Sequence, residues 1–335
     1  MGSLDDYYNI RTASVDDIPK IMSFINDNWK KGHILATNRD FFNYEMVVDD
    51  KVNFIVACSK EDGGIWGVQG FIPSARDIVL RDLWGVVWKT REKAKPMLGM
   101  EIKRKTIMLA GGRHELGVGA NPNTSVPILR FYGYSIVRLR HFFILNEQTD
   151  YFISHIEHKV NTKFIPYDIN VEEITNFDIL AAKFNYSLLE NEVPYKDSWY
   201  INRRYFNYPI YKYKKYLAHL AGSQLLIVGR EQEYGEKKVF RIVDLLGDFR
   251  IVSKLGLFFH DLIRENSYEY IDIYLEGVDV SLLEDAGFSE RVVNDTNIIP
   301  NYFSPFERRN IEIWANSDIN GCKFFKADGD QDRPS

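Results

Sequence analysis

Along the chain the apolar positions change period in a repeating order. Residues 9–13 alternate as a strand, and Ile18, Ile21, Met22, Ile25 and Trp29 then recur at helical spacing behind Ser14 or Asp16 as a cap. A polar connection holding His33, Arg39 and Asp40 leads into an aromatic helix. Residues 53–59 and 65–72 read as antiparallel strands, because Glu61, Asp62, Gly63 and Gly64 between them form a strong hairpin turn. A polar linker with Ser74 and Asp77 follows. The β-branched run 80–88 then gives way to Lys93, Lys95, Pro96 and Gly99, and helical spacing resumes at Leu98, Ile102, Thr106 and Leu109. A strand over 115–120, a turn at Asn121, a short apolar helix over 126–132 and a strand over 135–145 complete the series.

Beyond Asn146 the order starts again. Residues 164–175 repeat the strand, cap and helix opening, 218–231 with 238–246 repeat the hairpin, and 270–288 repeat the strand, the helix and the ending at Gly287 and Phe288. Matching features stand about 150 residues apart, which is the mark of an internal duplication. A chain of 335 residues is long for one compact domain and comfortable for two. The expected division is therefore 1–150 and 151–335.

Composition narrows the function. A net charge of -5 gives no global positive field, so a nucleic-acid partner is not expected. No apolar run reaches the roughly 20 residues that span a bilayer, and the N-terminus has no basic-then-apolar leader, so no membrane association and a cytoplasmic location are expected. Cys58 and Cys322 lie far apart without metal-ligand spacing, so neither a disulfide framework nor a metal site is expected. Oligomeric state is not legible.

The centre of the first half carries the chemistry. A helix that begins at a tight loop presents unpaired N–H groups and the positive end of its dipole, which suits a phosphate, and Lys93 and Lys95 stand beside it. Strand, phosphate-type loop, helix, strand, short helix, Gly-aromatic pair and strand resemble, over residues 8–146, the coenzyme A binding half of the GNAT acyltransferases. The resemblance implies a mixed α/β fold of two tandem GNAT-like domains, the first binding acyl-CoA through Val86, Val87, Trp88, Lys93, Lys95, Met97, Leu98, Gly99, Met100, Asn121 and Ser125. The second half lacks a glycine-rich turn at its corresponding helix and is expected to bind acceptor.

The reaction so implied is attack of an amine on a thioester. It needs a neutral amine and donors for the developing oxyanion, which backbone N–H groups around Val86–Trp88 would supply. An amino-sugar amine titrates near 8, so no strong base is required. Asp82, Ser74 and Asp77 are the expected proton-handling side chains. Two positions depart from the family pattern. The loop reads Pro96, Met97, Leu98, Gly99, Met100, Glu101 with one glycine, and Leu129 stands where the family often has a tyrosine acid, so either Tyr132 or Ser125 protonates the leaving thiolate or it needs no acid.

The acceptor is expected between the halves, at His33, Arg39, Tyr205, Asn301, Tyr302, Asp328, Asp330 and Arg333. Residues 199–216 are expected to form an aromatic and basic surface. A polar terminus ordinarily frays, but residues 326–334 are dense in groups that bind phosphates, sugar hydroxyls or an ammonium. A duplicated chain of this kind is similar to bacterial N-acyltransferases acting on dTDP- or UDP-linked deoxyamino sugars for surface polysaccharides. An aminoacyl-tRNA-dependent transferase of the cell-wall type and a non-catalytic binding platform are the alternatives.

Overall fold

The structure, a computed structural model, describes residues 3–148, 150–160 and 163–335. The first half supplies strands β1 (Tyr8–Thr12), β2 (Phe54–Ser59), β3 (Ile65–Pro73), β4 (Leu83–Thr90), β5 (Glu115–Val118), β6 (Ser135–Arg138) and β7 (Arg140–Leu145). Its main helices are α1 (Ile18–Asn28), α2 (Arg39–Met46), α3 (Leu98–Ala110) and α4 (Ser125–Phe131). The second half supplies β8 (Asn170–Glu173), β9 (Lys214–Leu220), β10 (Ser223–Tyr234), β11 (Lys237–Gly247), β12 (Tyr270–Glu276), β13 (Ser289–Arg291), β14 (Trp314–Ser317) and β15 (Phe324–Phe325). Its helices include α5 (Phe177–Lys183), α6 (Gly256–Glu265) and α7 (Ser281–Asp285). The class is mixed α/β, as the sequence predicts.

Local chemistry explains the first elements. Ser14 and Asp17 form a capping box, and the helical stripe of α1 buries Ile18, Ile21, Phe24 and Ile25. The predicted hairpin is present, with β2 and β3 antiparallel and Gly63 in the left-handed region at φ 69°. Helix α3 packs Leu98 and Ile102 on one face of the sheet against Ile55, Phe71 and Leu83. Helices α1 and α2 cover the other face through Ile21, Ile25 and Phe42 against Phe54 and Trp84.

Strands β1 to β4 are antiparallel neighbours, whereas β4 and β5 are parallel and pair only through Leu83 with Glu115 and Trp84 with Leu116. Past that point they diverge and leave a wedge. The second half repeats the plan, with β9, β10 and β11 antiparallel and β11 parallel to β12 through Phe240, Arg241 and Ile242.

The halves trade strands. Among the described residues the first sheet runs β1-β2-β3-β4-β5-β14-β6, and the second runs β8-β9-β10-β11-β12-β7-β13 with β15 beside β12. Thus β14 of the second half fills the place between β5 and β6, while β7 leaves β6 after Leu139 and enters the second sheet. Hydrogen bonding therefore does not follow the chain division at residue 150.

In the second sheet the wedge is filled by the chain itself. Phe324 and Phe325 pair with Glu276 and Leu275 on β12, and the Ala327 amide donates to Val243 O on β11 at 2.9 Å. The terminus then continues inward. Asp328 and Asp332 are fully buried, which overrules fraying. Lys196 Nζ sits 2.7 Å from Asp244 and 2.8 Å from Asp328, and Arg333 Nε lies 2.8 Å from Glu45.

Three expectations shift. The run 80–88 becomes a strand only from Leu83, because Asp77 closes a turn by accepting from the Val79 amide at 2.8 Å and leaves Ile78–Leu80 exposed. The run 218–231 is broken at Ala221 and Gly222, both at positive φ, which separates β9 from β10. Residues 199–216 are not a surface. Tyr200, Tyr205, Tyr208 and Tyr213 are buried, with the Arg204 guanidinium 4.4 Å from the Tyr208 ring centre and 5.0 Å from that of Tyr213.

Candidate functional site

The wedge between β4 and β5 is shaped by a bulge. Gln69 pairs with Trp88 and Gly70 with Val86, so Val87 faces no residue of β3. Its φ of 45° is costly for a β-branched residue, by about 1–3 kcal/mol. Strain of this kind persists only where the surroundings over-determine it. Gly70 is needed opposite, since a Cβ there would lie 2.9 Å from Phe54.

Val86 and Val87 form part of the wall of a cavity of about 690 Å³ between the halves. Its first-half wall includes Trp29, His33, Phe41 and Glu45, and its second-half wall includes Tyr211, Arg230, Asn301 and Tyr302. The terminal segment contributes Lys326, Asp330, Gln331 and Arg333. Asp330 marks the far side of the wedge. A Cβ at Gly119, just past β5, would lie 2.2 Å from Gln331 Nε2 and 3.1 Å from Asp330 Oδ1, so only glycine fits there, and its φ of 100° also favours glycine.

The loop after β4 leads to α3. Met97 is its N-cap in the left-handed region at φ 72°, and no side chain caps the first-turn amides. Trp88 closes over this end, its indole N–H donating to Gly99 O at 2.9 Å. Glu101 is turned down the helix to Arg104 at 2.7 Å and Lys105 at 3.3 Å, so its carboxylate is neutralised away from the N-terminus. Lys95 and Met97 are exposed, Lys95 resting over the Tyr7 ring at 4.3 Å. Lys93 lines a separate cleft of about 420 Å³ with Lys89 and Arg91. The residues present fit a diphosphate: open amides on α3, a dipole end and a cationic rim. Asn121 is less free, because its side-chain oxygen accepts from the amides of Asn123 at 2.9 Å and Thr124 at 3.2 Å ahead of Ser125. Leu129 is buried, and the Tyr132 hydroxyl lies 3.3 Å from Met97 Sδ at the loop.

The expected proton-handling trio does not assemble at the cavity. Asp82 is fully buried and engaged, accepting from Arg113 at 2.6 and 3.1 Å and from the Tyr195 amide at 2.9 Å. Ser74 Oγ accepts from the Asp82 amide at 2.9 Å, and Asp77 belongs to the exposed turn. These groups tie β4 to the second half.

Of the acceptor residues, His33, Asn301, Tyr302, Asp330 and Arg333 line the cavity. Burial, with help from Lys30, pushes the His33 imidazole down to about 4, and its Nδ1 accepts from the Leu35 amide at 3.2 Å. It is a neutral wall group. Burial raises the Asp330 carboxyl above its usual range. Three others stand elsewhere: Arg39 is exposed on Asn43, the Tyr205 hydroxyl is spent on Asp244, and Asp328 is spent on Lys196. Sequence reasoning missed Arg230 and Lys326. The only available signal was the density of polar groups around residue 326.

The sequence matches no protein-family model and no curated protein. Among solved structures, a GCN5-related N-acetyltransferase from Anabaena variabilis overlays 92% of this chain and 72% of its own, at 10% identity and a TM-score of 0.58. The fold is a GCN5-related N-acetyltransferase fold. A GCN5-related glucosamine N-acetyltransferase region of a fungal multi-domain GH3 β-N-acetylglucosaminidase matches 92% of this chain and 38% of that one, at 9% identity and a TM-score of 0.50. Saccharomyces cerevisiae N-myristoyltransferase with bound myristoyl-CoA covers 100% of this chain and 87% of that one, at 11% identity and a TM-score of 0.45. In this GCN5-related fold the wedge of the first sheet stays open to the cavity, whereas that of the second is occupied by residues 324–327.

Proposed function

We propose that the chain is an N-acyltransferase that moves an acyl group from acyl-CoA to the amino group of a nucleotide-linked deoxyamino sugar. The observation that carries this reading is the strained bulge at Val87, which opens on the same cavity that Asp330 lines. Acyl-CoA supplies an activated carbonyl. Val87 and Trp88 offer backbone donors to its oxygen, and the amides of Gly99 and Met100 with Lys95 hold the diphosphate. Asp330 replaces Asp82 as the proton acceptor: it takes the proton the amine releases as nitrogen bonds to carbonyl carbon and the carbon–sulfur bond breaks, the thiolate leaving. The acceptor spans from Asp330 toward Tyr302 and Tyr211, whose rings suit a sugar and a base.

The test is release of free thiol from acetyl-CoA and longer acyl-CoAs with and without a panel of dTDP- and UDP-linked amino sugars. Acceptor-dependent thiol release is the expected result. Activity that ignores CoA and requires aminoacyl-tRNA would replace this reading with the tRNA-dependent one, and CoA binding without turnover would leave a binding platform.

A further inference from the structure

One polar group in the cavity has no part in the transfer step just described. Lys326 follows β15, is 2% exposed and lines the cavity. Two other buried lysines are matched by carboxylates, Lys196 between two at 2.7 and 2.8 Å and Lys103 at 2.8 Å from Glu115, while Lys215 donates to Tyr213 O at 2.9 Å. Lys326 is not paired in this way. Among the described residues its hydrogen bond is a long one, 3.4 Å from Nζ to Gln331 O, and its nearest ring is Tyr274 at 5.7 Å.

Its surroundings carry an excess of positive charge. Arg230 stands 4.0 Å over the Tyr211 ring and donates to Asp332 at 2.7 Å, but Asp332 is shared with Arg204 at 3.2 Å. Arg241 faces Lys326 from β11 and is itself held by Asp272 on β12. Asp330, on the same segment, is bonded only to the Gln331 amide at 3.5 Å among the described residues. A buried ammonium without a counter-ion is costly, and an anion delivered by a ligand offsets that cost.

We infer that Lys326 and Arg230 form an anion subsite for the acceptor, taking a phosphate or carboxylate oxygen of the molecule whose amine faces Asp330. This rests on the acyl-transfer reading for the direction of the amine. Burial, with Arg241 and Arg230 and against Asp332 and Asp272, lowers the Lys326 ammonium to about 7. Above that pH the empty subsite holds a neutral lysine, and an arriving anion draws a proton onto it.

The experiment is calorimetric titration at about pH 8 in two buffers of different ionisation enthalpy. The probes are UDP-glucose, whose phosphates are diesters that do not titrate near neutrality, and glutarate. Net proton uptake on binding is expected, with affinity falling as pH rises further, by up to about tenfold per unit. UDP-glucose alone binding this way identifies phosphate as the source, and glutarate alone identifies carboxylate. Lys326→Met should lose binding and uptake together, while Lys326→Arg should bind without uptake. The inference is overturned by binding without proton uptake in the wild-type protein, by uptake retained in Lys326→Arg, which would assign the proton to Asp330, or by neither probe binding at roughly 10 mM. Proton-coupled anion binding in a protein that takes up no CoA supports the subsite and overturns the acyl-transfer reading instead.

Discussion

Replacing Asp82 separates a structural from a chemical role for the carboxylate that the sequence marks most strongly. Asp82→Ala removes the acceptor for two Arg113 N–H groups at 2.6 and 3.1 Å and for the Tyr195 amide at 2.9 Å. Breaking a fully buried pair costs about 3–5 kcal/mol, because the remaining charge is stranded. Here the Arg113 side chain is 27% exposed, so water rehydrates part of the orphaned guanidinium and the lower end applies, about 3 kcal/mol. For a chain of this length that corresponds to a drop in Tm of about 4 °C. Circular-dichroism melts give the stability change. Thiol release measured well below the midpoint gives kcat per folded molecule, which should stay within about threefold of wild type. A Tm unchanged within a degree together with a kcat reduced about a hundredfold or more would return Asp82 to the chemistry and refute this account.

The other predictions probe the two ends of the cavity and the tail that closes it. Gly99→Asp places its Cβ 3.5 Å from the Trp88 indole nitrogen, an ordinary contact, so the fold should survive while CoA affinity by titration falls at least about tenfold; unchanged affinity removes the loop from the diphosphate site. Asp330→Asn should lower kcat by about 10²–10⁴ with Tm held. Burial raises the Asp330 carboxyl, so its stabilising contribution is full below the ordinary 3.8 and is lost as pH climbs through the raised value; at neutral pH the Asn variant should therefore be no less stable. The acidic limb of kcat/KM should vanish in that variant, and a limb that persists assigns the proton to another group. Lys196→Met leaves Asp244 and Asp328 buried without their cation and should cost about 3–5 kcal/mol by denaturant unfolding; a change below about 1 kcal/mol would show that the tail is not pinned there.

What the sequence made legible was local. The stripe of α1, the hairpin at Glu61–Gly64, and the succession of β4, loop and α3 each have a period or turn signature within a dozen residues. The partners of the chemistry-bearing side chains do not. Asp82 meets Arg113 at 31 residues' separation, Arg204 meets Asp332 at 128, and Arg333 meets Glu45 at 288, and no periodicity encodes such pairs. The density of polar groups over 326–334 marked a binding segment but not its burial, since polar composition normally means exposure and here distant counter-charges reverse that. The bulge was equally hidden, since Val87 sits in a run that reads as a regular strand. The exchange of β7 and β14 is invisible for a different reason. Alternation identifies a strand but carries no record of which sheet receives it.

That exchange bears on how the cavity keeps its shape. Val87 belongs to the first sheet, whereas Asp330 and Lys326 hang from a segment seated in the second. With β14 inside the first sheet and β7 inside the second, separating the halves requires breaking backbone ladders in both, so their relative position is fixed by strand pairing rather than by a side-chain interface alone. The buried pairs at Lys196, Arg204 and Arg333 then set the register of the last residues along that frame. Such pairs contribute little net stability, and their value here is positional: they exclude alternative seatings of a polar segment that would bury the same carboxylates unpaired. The second half, its own wedge plugged by residues 324–327, thereby brings the Asp330 carboxylate beside the open wedge of the first and the Lys326 side chain to the wall of the same cavity.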